Sequence, residues 1–96
     1  MSRREEVLDR HGPAIRAAAQ RHNALSISLV GSVARGADDL DSDCDFVCEF
    51  APGADLFDLV RLRRELAQLL GCNVDVCSKR ALSGRYSAML EDAIPV

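Results

Sequence analysis

A chain of 96 residues, 48% hydrophobic and 28% charged, has the make-up of one small globular domain spanning residues 1–96 and is too short for a second. Its formal net charge of -3 argues against an extended basic face for nucleic acid. No window approaches the roughly 18 apolar residues of a membrane span, and Met1-Ser2-Arg3-Arg4-Glu5-Glu6 opens without an apolar leader, so a cytoplasmic, reduced protein is expected with no membrane role.

In chain order, Ser2 followed by Glu5 has the form of a capping pair, and Val7 and Leu8 begin an apolar stripe, which predicts a helix. Gly12-Pro13 interrupts it, and a proline at a first helical position starts a second stretch through Ile15, Ala18 and Ala19 to about His22. The alternation Leu25-Ser26-Ile27-Ser28-Leu29-Val30 predicts a strand with one buried face. Gly31 ends that strand. Ser32 to Arg35 are expected in a short helix, then Gly36 and the acidic Asp38 to Ser42 segment in a loop. Cys44 to Phe50 form the expected second strand, and Asp55 caps the longest helix, Leu56 to Leu70. Leu56, Leu59, Val60, Leu66 and Leu70 define its buried stripe, Asp58, Arg61, Glu65 and Gln68 face water, and Gly71 closes it. Asn73 to Ser78 make a third strand, and a closing helix is expected over roughly Gly84 to Asp92. The result is an α/β (α+β) domain in which a crossover helix joins the second and third strands, a connection long enough for parallel pairing.

Asp38, Asp39, Asp41, Asp43, Asp45 and Glu49 crowd one short stretch that favours divalent cations over free anions. Strand alternation puts Asp43 and Asp45 on one face and Cys44, Phe46, Cys48 and Phe50 on the other, which is the core. In the third strand Asp75 opposes Val74 and Val76. It can stand beside Asp43 and Asp45 if the strands are neighbours in the right register, a condition the sequence leaves open. Converging carboxylates repel, and a divalent cation resolves the conflict. Read alone, Asp43-x-Asp45 is equally the pattern of a charged edge strand, and Gly31-Ser32 an ordinary turn.

Their spacing joins them. Gly31-Ser32, ten residues from Val33 to Ser42, then Asp43-Cys44-Asp45 resembles the signature of the minimal nucleotidyltransferase group of the DNA polymerase beta superfamily. Gly31-Ser32-Val33-Ala34-Arg35-Gly36 is similar to the form usual in that group, and Asp75 occupies the place of its third carboxylate. The resemblance implies a nucleotidyltransferase fold, a small mixed sheet of about three strands or more with helices on one side. It implies that Gly31, Ser32 and Arg35 bind a nucleoside triphosphate, ATP, and that Asp43, Asp45 and Asp75 are catalytic and hold two Mg²⁺ ions. It further implies a partner encoded nearby, a HEPN-domain RNase toxin, neutralised within a hetero-oligomer when AMP is transferred to one of its tyrosines. A non-catalytic antitoxin and a transferase acting on a small-molecule hydroxyl are the alternatives.

Other groups carry structural expectations. Cys44, Cys48, Cys72 and Cys77 contain no C-x-x-C pair and are read as small buried hydrophobes rather than disulfides or a zinc site. His11 and His22 are read as solvated or helix-end side chains, and Lys79-Arg80 as a solvated basic pair. Tyr86 is read as a packing residue. Arg61, Arg63 and Arg64 are read first as a solvated face and second as a partner surface.

Overall fold

Two amphipathic helices and the apolar faces of the central strands bury one another, and this packing sets the architecture. The computed structural model describes residues 2–38, 42–81 and 90–96. The element order is α1 (Arg3–Glu5), a π-helical turn (Glu6–Arg10), α2 (Gly12–Arg21), β1 (Ala24–Val30), α3 (Gly31–Arg35), β2 (Cys44–Phe50), α4 (Leu56–Leu70), β3 (Val74–Ser78), a 3-10 turn (Lys79–Ala81) and β4 (Ile94–Pro95). The sheet is mixed, in the order β3-β2-β1-β4. β1 runs antiparallel to both β2 and β4, while the α4 crossover makes β2 and β3 parallel.

The leading helix is interrupted before Gly12-Pro13, as the sequence predicts. Ser2 accepts from the Glu5 backbone N–H and its hydroxyl meets the Glu5 carboxylate, but the helix passes into the π turn before restarting at Gly12-Pro13. Val7, Ile15, Ala18 and Ala19 face the core from these segments.

Two expectations about faces are corrected. Strict alternation would place Leu25 beside Ile27 and Leu29, yet Leu25 is 66% exposed. The register slips between Ala24 and Ser26, where two β1 steps oppose the single step from Phe50 to Glu49, and this bulge turns Leu25 outward. On α4 the buried residues are Leu62 and Leu66, with Leu59, Leu69 and Leu70 packed partly against the core, while Leu56 is 73% exposed. At 100° per residue Leu56 lies about 80° around the helix from Leu66 and falls off the stripe.

Nor do Asp58 and Glu65 simply face water. Glu65 pairs with Arg21 and with His22, whose Nε2 is 3.2 Å from Glu65 Oε1. Asn23, in the left-handed region at φ 63°, donates through Nδ2 to Asp58 and accepts from the Ala51 amide. This polar seam fixes the end of α2 against α4. The Glu65 carboxyl is held below its ordinary range, chiefly by Arg21.

β4 was not anticipated, because a two-residue strand containing a proline has no readable period. It is defined by its pairing with Ser28 and Leu29 and by the bond from the Val96 amide to the Ile27 carbonyl. Of the expected closing helix, Leu90 and Glu91 are helical; residues 82–89, with Tyr86, lie outside the described residues. So do residues 39–41 of the acidic loop. Among the described residues no helix is long and apolar enough to cross a membrane.

Candidate active site

β1 delivers Gly31 to the sheet centre and stops there. Val30, at the N-cap of α3, has no side-chain oxygen and makes no capping hydrogen bond to the first amides of the helix. Gly31 takes φ 78°, a conformation open to glycine and strained for other residues. It is also required on steric grounds: a β-carbon there would lie 2.7 Å from Asp45 Oδ2. The glycine turn and the second acid of the Asp43-x-Asp45 pair are therefore in direct contact.

Across the sheet the register is in line. Asp45 opposes Val30 on one side and Asp75 on the other. The carboxylates of neighbouring parallel strands thus stand side by side, with Gly31 next to the inner one. Cys44, Phe46 and Cys48 are fully buried on the opposite face, as the alternation predicts, and Asp45 is half-buried. Asp43 lies just before β2 and is exposed, as is Asp75. Burial first, then the charges of Asp75 and Asp43, raises the Asp45 carboxyl above its ordinary range.

The three acids form a row rather than a closed cage. Among the described residues no three His, Cys, Asp or Glu side chains are gathered into a metal-binding cluster. Their donors are nevertheless all carboxylate oxygens, the chemistry that suits a hard divalent cation, and the missing side chain at Gly31 leaves space at Asp45 Oδ2. Ser32 is half-buried on the first turn of α3. Arg35, on its last turn, is 3.8 Å from Asp92, a contact that would compete with any phosphate.

Two residues overlooked in the sequence shape this site. Arg3 donates to the Ser42 carbonyl at 2.8 Å, immediately before Asp43, and Arg4 donates to the Ala34 carbonyl at 3.2 Å, inside α3. The N-terminal helix therefore braces both the acidic loop and the glycine turn. Separations of 39 and 30 residues left no local signal beyond two adjacent arginines.

The four cysteines are free. Cys72 donates to Cys44 at 3.6 Å, and Cys44 is pushed up to about 12, chiefly by burial. His22 is committed to Glu65, away from the acids.

The nucleotidyltransferase domain family matches residues 14–94, which include the glycine turn and all three acids. The chain belongs to that family. As a member of it, this nucleotidyltransferase is similar to two proteins of Methanocaldococcus jannaschii. It is 40% identical over 62 residues to "Putative protein adenylyltransferase MJ0435", covering 65% of this chain and 67% of that one. It is 30% identical over 94 residues to "Putative protein adenylyltransferase MJ0128", covering 96% and 93%. Among solved structures, one described as a "putative minimal nucleotidyltransferase" superposes with a TM-score of 0.84 at 39% identity, covering 95% of this chain and 94% of that one. A toxin–antitoxin structure with AMP-PNP superposes with a TM-score of 0.74 at 22% identity, covering 86% and 69%, and shows the shared fold. The mixed sheet packed by helices is thus the nucleotidyltransferase fold that the motif implied.

Proposed function

We propose that this nucleotidyltransferase uses ATP and Mg²⁺ to transfer AMP to a tyrosine of a HEPN-domain toxin encoded nearby, and so acts as its antitoxin in a cytoplasmic hetero-oligomer. The observation that carries the transfer chemistry is the contact of Gly31 with Asp45 and the in-line pairing of Asp45 with Asp75. The protein acceptor rests on relatives named as protein adenylyltransferases, and the antitoxin role on the toxin–antitoxin neighbours together with the motif. Four free thiols fit a reducing compartment.

In this reading the amides at the start of α3 and the Ser32 hydroxyl hold the β- and γ-phosphates, and Arg35 adds positive charge once it leaves Asp92. Asp43, Asp45 and Asp75 would hold two Mg²⁺ ions, which would supply stabilisation of charge on the entering and leaving oxygens. The acceptor hydroxyl oxygen forms a bond to the α-phosphorus as the bond to pyrophosphate breaks. Its proton passes to the Asp75 carboxylate, the acid on the side of the row away from Gly31.

The test incubates the purified chain with the neighbouring gene's product, ATP and Mg²⁺ and follows the intact mass of that product. An added adenylyl group is expected, and loss of the addition when Asp43 and Asp45 are both replaced by Ala. If that double variant neutralises the partner as well as the wild type does, neutralisation is by binding alone.

A further inference from the structure

From the position of two arginines beside the acid row, we infer that Arg63 and Arg64 of α4 receive the acceptor, and that it is an acidic polypeptide segment. The inference rests on the transfer reading above and specifies the acceptor's chemistry.

A cavity of about 420 Å³ is lined by Arg63, Arg64 and Ala67 of α4 on one side and by Asp43, Asn73 and Asp75 on the other. Ala67 is small and leaves the wall open. Both arginines are exposed, and among the described residues neither forms an ion pair. They are permanently charged and presented toward the side of the sheet where Asp75 stands.

Sheet order decides what they meet. Gly31 extends β1, which flanks β2 on one side, and Asp75 lies on β3, which flanks it on the other. In an in-line displacement the entering and leaving oxygens lie on opposite sides of the phosphorus. With pyrophosphate leaving toward Gly31, the hydroxyl enters from the Asp75 side and brings its flanking residues into the cavity walled by Arg63 and Arg64. The cavity's own acids, Asp43 and Asp75, are balanced by Mg²⁺ in the transfer reading, so carboxylates around the accepting tyrosine would meet two guanidinium groups there, whereas lysines would be repelled.

The test measures binding to the full chain, in Mg²⁺ with a non-hydrolysable ATP analogue, of two fluorescent peptides in which glutamates or lysines flank one tyrosine. The glutamate peptide should bind at least ~10-fold more tightly at low salt, and the advantage should shrink as salt rises. The R63Q/R64Q variant should lose the preference and R63E/R64E should reverse it, while both keep wild-type affinity for the ATP analogue, which also reports that they are folded. Equal binding of the two peptides, or a preference that survives in R63E/R64E, would overturn the inference. A parallel ~10-fold loss of analogue affinity would overturn it too, by assigning the arginines to the nucleotide, as would tighter binding of a single-stranded oligonucleotide than of the glutamate peptide. Because no catalysis is needed, an absence of AMP transfer to the partner counts against the proposed activity and is read separately.

Discussion

A β-carbon on Gly31 would stand 2.7 Å from Asp45 Oδ2, so the first residue of the motif and its last acid are adjusted to each other at van der Waals range. Gly31→Ala should therefore meet both a positive φ and a clash, destabilising the fold by about 1–3 kcal/mol and lowering transfer by at least ~100-fold. Gly71→Ala is the matched control. It shares the positive φ, 67°, but a β-carbon there meets nothing within 4 Å, so it should cost about 1 kcal/mol in urea unfolding and leave transfer intact.

Burial and two neighbouring carboxylates, Asp75 and Asp43, disfavour charge on Asp45. A carboxyl whose folded pKa is raised stabilises the fold below its unfolded pKa and loses that contribution as pH rises, so at neutral pH it is a liability in the metal-free protein. Asp45→Asn should raise the metal-free melting temperature by about 2–4 °C while abolishing transfer. Mg²⁺ should raise the melting temperature of the wild type and not of the variant. A variant less stable than wild type without metal would contradict this account.

The displaced α4 stripe separates what the sequence suggests from what the structure shows. Leu62 is fully buried, and Leu62→Ala should cost about 2–5 kcal/mol in denaturant unfolding. Leu56 is largely exposed, and Leu56→Ala should stay within about 0.5 kcal/mol. Similar losses at the two positions would restore the stripe expected from helical spacing.

Cys48 is fully buried, and its thiol is pushed up to about 12, chiefly by burial and then by Cys77. Its stabilising contribution is complete below the ordinary 9.0 and is lost as pH rises from there toward 12. Urea unfolding across that window should show stability falling, and Cys48→Ala should remove up to about 1.4 kcal/mol per pH unit from the slope. In the native protein at pH near 9.0, Cys48 should resist iodoacetamide.

The motif spacing, the two faces of β2 and the caps at Asp55 and Gly71 were legible in the sequence, because each depends on residues close together in the chain. The Asp55 side chain does accept from Asp58, and Gly71 does close α4 in the left-handed region. Leu25 and Leu56 were misplaced because a bulge depends on the partner strand and a helix's buried face on what it packs against. Arg3 and Arg4 were overlooked because their acceptors, the Ser42 and Ala34 carbonyls, are reached only after folding.

By itself the sequence determined that Gly31, Asp43 and Asp45 stand at the spacing of the nucleotidyltransferase signature the chain resembles and that Asp75 faces away from its valine neighbours. That follows from covalent spacing and from the period-two alternation of a strand. Only tertiary structure decided that Asp75 stands opposite Asp45, because β2 and β3 are separated by α4 and their alignment depends on how that helix packs across the sheet. A slip of one residue would have turned Asp75 to the opposite phase of the pleat and put Val74 or Val76 beside Asp45, leaving the same motif without its third acid.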